Sequence, residues 1–322
     1  MNHLRRLDNR VAIQIRTDER GFTGRECPHP DCEGYFKIEF GTGLKGEGLP
    51  CHCPYCGHTA GHDHFWTKEQ IEYANSVAMR KFTDALHKDL KKLEFDDKPK
   101  GAFGIGISMK VKAGRPSPIH YYREKQLETE VVCDNCTLRY SVYGVFAFCP
   151  DCGQHNSLQI LDKNLEVVGK MLGLAANVDK ELAEKLVENA LEDCVSAFDG
   201  FGRELCRLHA NKARNLAKME KMSFQNLGGT KSNVFDIFGV DLSAHVTTHE
   251  WRSAVRGFQK RHLVVHKMKV ADQNYITKTG DTQAVVGRKI VIEADEVIGL
   301  VRIISKLARS WSDNLQQSAK NP

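Results

Sequence analysis

Helical periodicity governs the chain after about residue 162, whereas short aromatic and alternating runs broken by Cys, Gly and Pro fill most of what precedes it. The first clear helix opens at Thr67, where Thr67-x-x-Gln70 forms a capping box. Ile71, Ala74, Ala78, Phe82, Ala85, Leu86, Leu90 and Leu93 follow at near-helical spacing, and this helix is predicted to end near Glu94, ahead of Pro99. Ala102 to Lys112 alternates apolar with small or polar residues, the period of a strand. Gly101, Gly104 and Gly106 do not make it a phosphate loop, because their order is not G-x-G-x-x-G and no helix opens behind them. A loop, Gly114-Arg-Pro-Ser-Pro118, comes next.

Further on, Leu182, Leu186, Ala190, Cys194, Phe198, Leu205 and Leu208 mark one apolar stripe of a long helical segment, with Gly200 and Gly202 as candidate bend points. Cys194 and Cys206 fall on or beside that stripe and read as buried apolar residues. Val297, Leu300, Val301, Ile304, Leu307, Ala308 and Trp311 predict a last amphipathic helix, opened by Asp295 and Glu296 where acids favour the helix dipole.

The chain has 322 residues, 41% hydrophobic and 27% charged, which fits a packed protein of two or three domains and argues against global disorder. No apolar run approaches the roughly 20 residues of a membrane-spanning helix. The basic N-terminus lacks the apolar core of a secretory signal, so a cytoplasmic location with reduced thiols is expected. That expectation decides how to read 11 cysteines, most of them paired before residue 153: metal comes before disulfides.

Cys133-x2-Cys136 and Cys149-Pro-Asp-Cys152-Gly153 are two knuckles of the kind that supply four thiolates to one tetrahedral zinc ion. The aromatic and β-branched segment 138–148 between them reads as a hairpin. The earlier set is looser. Cys27 and Cys32 are separated by four residues, and Cys53-Pro-Tyr-Cys56-Gly57 repeats the later knuckle, so Cys27, Cys32, Cys53 and Cys56 are the expected ligands. Cys51 could replace Cys53, and His29, His52, His58, His62 or His64 could complete the set. All-protein four-ligand sites are structural, so neither ribbon should be catalytic. Tyr35, Phe36, Tyr140 and Tyr143 are suited equally to stacking on bases and to packing a small core.

The net charge of +5 is mild and does not by itself identify a nucleic-acid partner. A local run is more telling. Residues 251–270 carry Arg252, Arg256, Lys260, Arg261, Lys267 and Lys269 and no acid. Arg252, Arg256 and Lys260 step by four, so a helix would gather them into a stripe able to meet phosphates.

Arg261-His262-Leu-Val-Val-His266 resembles the R-x4-6-H motif of the HEPN superfamily, and the continuation Asp272-x-x-Tyr275 with Thr279-Gly280 resembles that of helical HEPN domains. The resemblance covers roughly residues 175–315. One departure follows the histidine: Lys267-Met-Lys-Val270 stands where relatives often carry Asn or Gly. The resemblance implies a dimerising bundle of four or five helices and a metal-independent endoribonuclease, often a toxin or an effector of phage defence. His266 would then be general acid or base, Arg261 would stabilise charge on phosphorus, and His262 would orient His266 or contact phosphate. Five helical steps separate Arg261 from His266 by about 140°, so the two do not share a face, and a composite cleft in a dimer is the natural remedy. A metalloprotease reading of His262-x3-His266 fails because Leu263 stands where Glu is needed. The rival reading is a catalytically inactive HEPN-like module that binds nucleotide or RNA or serves dimerisation.

The expected architecture is therefore α+β and multidomain. Two small β zinc ribbons with a helix between them, over 1–100 and 101–160, precede an all-α HEPN-like bundle over 161–322. Two structural zinc ions and no catalytic metal are expected, with RNA, a second copy and a protein partner or antitoxin as partners. The nucleic-acid contacts would be Arg252, Arg256, Lys260, Lys267 and Lys269.

Overall fold

The computed structural model describes residues 3–4, 12–97 and 107–317. It divides into two compact units, Met1–Gln154 and His155–Pro322. The first is built around short strands and the second from helices, so the chain is mixed α and β with two cysteine clusters beside small strands.

In the first unit, β1 (Phe22–Glu26) and β2 (Tyr35–Glu39) form one antiparallel hairpin. A second small ladder joins β3 (Pro50–His52) to β4 (Thr59–Gly61). Helix α1 (Lys68–Lys91) follows, opened by the capping box of Thr67 and Gln70 that the sequence announces. Its apolar spacing misleads in part: Ala85 is buried, yet Ile71, Phe82 and Leu93 face solvent, and the buried positions include Gln70, Ser76 and Asp89. Gln70 reaches the Gly24 carbonyl, and Asp89 accepts the His3 and Leu4 amides, so polar anchors rather than an apolar stripe orient this helix. Strands β5 (Phe95–Asp97) and β6 (Ile107–Met109) pair with each other. Of the strand expected over 102–112, these three residues of β6 are strand, and Gly101, Gly104 and Gly106 lie outside the described residues.

Strands β7 (Thr129–Val132) and β8 (Arg139–Val142) flank Cys133 and Cys136. Here the expected hairpin within 138–148 is corrected. The segment contributes one strand, β8, whose partners are β7 upstream and β2 from the first ribbon. The sheet order is β1-β2-β8-β7, so the hairpins of the two cysteine clusters share one sheet, joined where Ile38 lies opposite Tyr140. Phe36, Ile38, Phe65, Val131, Leu138, Tyr140 and Val142 fill its core. Each such side chain taken out of water contributes about 1.5–3 kcal/mol. Tyr35, Phe36 and Tyr140 are buried, leaving Tyr143 as the exposed ring of the four singled out in the sequence.

The second unit begins with α2 (Ser157–Ala175) and α3 (Lys180–Leu208), antiparallel neighbours across a short turn. Then come α4 (Leu216–Glu220), α5 (Leu227–Phe238), α6 (Thr248–Lys267), α7 (Gln273–Thr279) and α8 (Ala294–Gln317). Helix α3 packs on α2, α6 and α8. Its stripe of Ala190, Cys194, Phe198 and Leu205 is buried, as is Cys206, while Leu182 is exposed at the first turn. Phe198 meets Phe224 and Phe258 edge to face, as Phe201 meets Trp311, and Phe224 lies tilted against Trp311 in the centre. Helix α3 runs unbroken through Gly200 and Gly202. Gly202 is there for a close approach rather than a bend: a Cβ would stand 2.6 Å from the Phe224 ring. Val297, Leu300, Ile304, Leu307, Ala308 and Trp311 of α8 all face the core.

Candidate functional site

Two sites emerge from the cysteine clusters. Cys27 and Cys32 lie in the turn between β1 and β2, and Cys53 and Cys56 in the turn between β3 and β4. Their four sulfurs fall within 4.8 Å of one another, as do those of Cys133, Cys136, Cys149 and Cys152. Among them, Cys27 lies 3.7 Å from Cys56 and Cys32 3.7 Å from Cys53, and Cys133 lies 3.7 Å from Cys152 and Cys136 3.4 Å from Cys149. A tetrahedral ion with metal–sulfur bonds of about 2.3 Å separates its ligands by roughly 3.8 Å, whereas a disulfide needs about 2.05 Å. The geometry therefore fits two four-thiolate metal ions.

The local fold prepares each knuckle for charge. The Tyr55 amide points at the Cys53 sulfur, and Gly57 and Gly153 turn with positive φ after their knuckles. Burial pushes the Cys27 thiol up to about 12 and Cys136 up to about 11, and drives Cys53 and Cys149 higher still. Thiols so buried become thiolates when a cation repays the desolvation. Cys51 sits outside the ligand group, buried in β3, and among the described residues no histidine belongs to that group.

The two ribbons clasp each other reciprocally. The His52 amide donates to the Pro150 carbonyl at 2.7 Å, and the Phe148 amide donates to the Pro54 carbonyl at 2.8 Å. The rings follow the same exchange: a Cβ on Gly57 would meet the Phe148 ring at 3.4 Å, and one on Gly153 would meet His52 at 3.1 Å. The residue before each Cys-Pro-x-Cys knuckle thus lies over the glycine that ends the other.

In the helical unit, α6 begins with a second capping box, Thr247 with Glu250, and carries the basic run. The stripe does not present three free cations. Arg252 is exposed, but Lys260 is 7% exposed and its ammonium is held by Glu296 at 2.5 Å and the Val291 carbonyl at 2.9 Å. Lys269 pairs with Glu188, while Lys267 is exposed.

His262 and His266 share one exposed face of α6, with ring centroids 4.8 Å apart. Partial burial, then the neighbouring His266 and Lys278, pull the His262 pKa down against the opposing pull of Asp272. Arg261 turns elsewhere. Its guanidinium donates to the Gln225 side-chain oxygen at 2.9 Å, and Gln225 in turn donates to Asp199 at 3.3 Å. Asp199, buried on α3, also accepts the Phe224 amide at 2.6 Å. Nothing in the local sequence pattern marks Asp199 or Gln225, because their contact with Arg261 arises from tertiary packing.

The continuation after His266 has structural duties. Asp272 caps α7 by accepting the Tyr275 amide at 2.8 Å. Tyr275 is buried and donates to Asp281 at 2.7 Å. Thr279 and Gly280 close the helix, Gly280 in the left-handed conformation. Met268 and Lys269, directly after α6, are both left-handed, with φ of 48° and 67°.

No protein family, curated protein or solved structure matches the chain. Among the described residues no helix is long and apolar enough to cross a membrane.

Proposed function

We propose that the chain is a metal-independent endoribonuclease of the HEPN type, acting as a homodimer, with two zinc ribbons that recognise RNA or a protein partner. The observation that carries this reading is the exposed His262–His266 pair at the end of a basic helix, with Arg261 directly preceding it. An imidazole that is neutral near physiological pH can take the 2′-hydroxyl proton of RNA, and a fixed guanidinium can stabilise the charged phosphorane. Within one chain Arg261 and the histidines diverge, so the active cleft is assigned to two copies whose motifs come together across the dimer. The ions are assigned as zinc because four buried thiolates at tetrahedral spacing suit a closed structural zinc site. A toxin or phage-defence role follows from the family resemblance alone.

The test is incubation of the purified protein with RNA in EDTA, once zinc retention has been measured, beside Arg261→Ala and His266→Ala. Wild type should yield 2′,3′-cyclic phosphate and 5′-hydroxyl ends and spare DNA and 2′-O-methyl RNA. Each variant should lose about a hundred- to ten-thousandfold in rate. If wild type and variants leave every RNA intact, the inactive binding or dimerisation module stands instead.

A further inference from the structure

A cavity of about 570 Å³ opens between α6 and α8 in the helical unit, within the size range of small-ligand pockets. On α6 its lining falls on positions 249, 250, 253, 256, 257 and 260. At 100° per residue this face lies opposite His262 and His266, so the cavity is separate from the site of the proposed cleavage.

Its walls combine two characters. Leu191, Val297, Leu300 and Ile303 supply an apolar side. The charged groups divide unevenly. Lys260 is held by Glu296 and Lys306 by Glu250, so those charges cancel locally. Arg256 and Arg302 form no ion pair among the described residues, and the Arg256 Nε is closed off from water without a hydrogen-bond partner. Asp281, outside the lining, is a further carboxylate close enough to act on Arg256; it accepts from Tyr275 and forms no ion pair with the arginine among the described residues. Asp295 is the one lining carboxylate outside the two pairs, which leaves the cavity with spare positive charge.

A glycine adds an independent argument. Gly257 lets the helices approach, since a Cβ there would meet Leu300 at 2.9 Å. Gly299 has no such reason: it lies within α8, lines the cavity, and nothing stands within 4 Å of the Cβ it lacks. Glycine is the poorest helix former after proline. A side chain placed at Gly299 would enter open space beside the cavity lining.

We propose that this cavity binds a small organic acid, with an apolar body against Leu191, Val297, Leu300 and Ile303 and one carboxylate or phosphate group on Arg256 and Arg302. A planar guanidinium with an unmade hydrogen bond suits either acid group.

The test is calorimetric titration of the full chain with phenyl phosphate, benzoate, inorganic phosphate and benzyl alcohol. Phenyl phosphate or benzoate should bind once per chain, the better of the two identifying the acid group, and binding should weaken as salt rises. Inorganic phosphate lacks the apolar body and benzyl alcohol lacks the charge, so each should bind at least about tenfold more weakly. R256Q and R302Q should each cost about tenfold in affinity. G299L should abolish binding while keeping or raising the melting temperature, because Leu fills the space and favours the helix. Arg302 is exposed, so R302Q and G299L decide the matter even if R256Q folds poorly. The proposal is overturned if neither acid binds, if benzyl alcohol or inorganic phosphate binds as well as the acids, or if R302Q and G299L bind unchanged.

Discussion

The Arg261 guanidinium donates to the Gln225 side-chain oxygen across 2.9 Å, joining the last turns of α6 to the loop that opens α5. Gln225 is itself oriented by Asp199, so the arginine is aimed by a residue it never touches. For the proposed RNA cleavage, Gln225→Met should leave metal content and melting temperature near wild type while lowering kcat by roughly ten- to a hundredfold, with KM little changed. Steady-state kinetics check this. Equal losses from Gln225→Met and from an exposed control such as Arg288→Gln would remove the positioning role.

Metal removal should act on both ribbons together. Their backbones clasp through His52 with Pro150 and Phe148 with Pro54, and their hairpins share one sheet. Elemental analysis should find two zinc ions per chain. Cys133→Ser should release one ion, destabilise the unit by several kcal/mol and loosen the hold on the other ion. Competition with a chromophoric chelator measures the second effect. Unchanged affinity at the Cys27 site in this variant would show the ribbons to be independent.

Acid should weaken the helical unit through Glu204. Burial raises its pKa, but hydrogen bonds from Arg207 and His155 outweigh that and bring it down to about 2. A carboxylate whose folded pKa lies below its unfolded value contributes stability above the unfolded value, near 4.5, and loses it as pH falls toward 2. Glu204→Gln should therefore cost about 2 kcal/mol at pH 7, allowing for solvent screening, and the gap to wild type should close between pH 4.5 and 2. Urea unfolding across that window gives the result, and a gap that stays constant would discount the ion pairs.

Met268 carries a backbone cost. It is 80% exposed, so its side chain contributes little packing, yet its φ is 48°. The left-handed conformation costs an ordinary residue about 1–2 kcal/mol, against an entropic penalty of roughly 0.5–1 kcal/mol for glycine. Met268→Gly should thus stabilise by about 0.5–1 kcal/mol. Thermal melts of the pair should show the variant higher, and a lower value would mean the side chain does something the backbone argument omits.

Local rules carried the sequence reading a long way. The Thr67 capping box, the cysteine spacings, and the periodicity of α8 depend on residues within one or two turns, and each is found where the pattern put it. Long-range pairing was illegible. Nothing in 138–148 says that its strand will lie beside Ile38, so the segment reads as a hairpin closed on itself. The face of α1 misled for a related reason, since Gln70 and Asp89 find distant backbone partners that outrank hydrophobic spacing. Helix α2 is legible by the same rule: Leu158, Leu161, Leu165, Val168 and Leu172 repeat at helical spacing, and four of the five are buried. The basic stripe of α6 showed charge but not pairing, which is why Lys260 looked free.

The seam between β2 and β8 has a consequence for a chain emerging from the ribosome. Lys37 and Ser141 meet across it although about 100 residues separate them, and such distant pairings form late. The first four-cysteine group is complete once residue 56 is out, and it can load its metal while β8 is still unmade. Until β8 arrives, β2 is an open edge with unpaired amides, and such an edge invites pairing with the next nascent chain. Translation speed between residues 56 and 152 should therefore matter to yield as much as metal supply does.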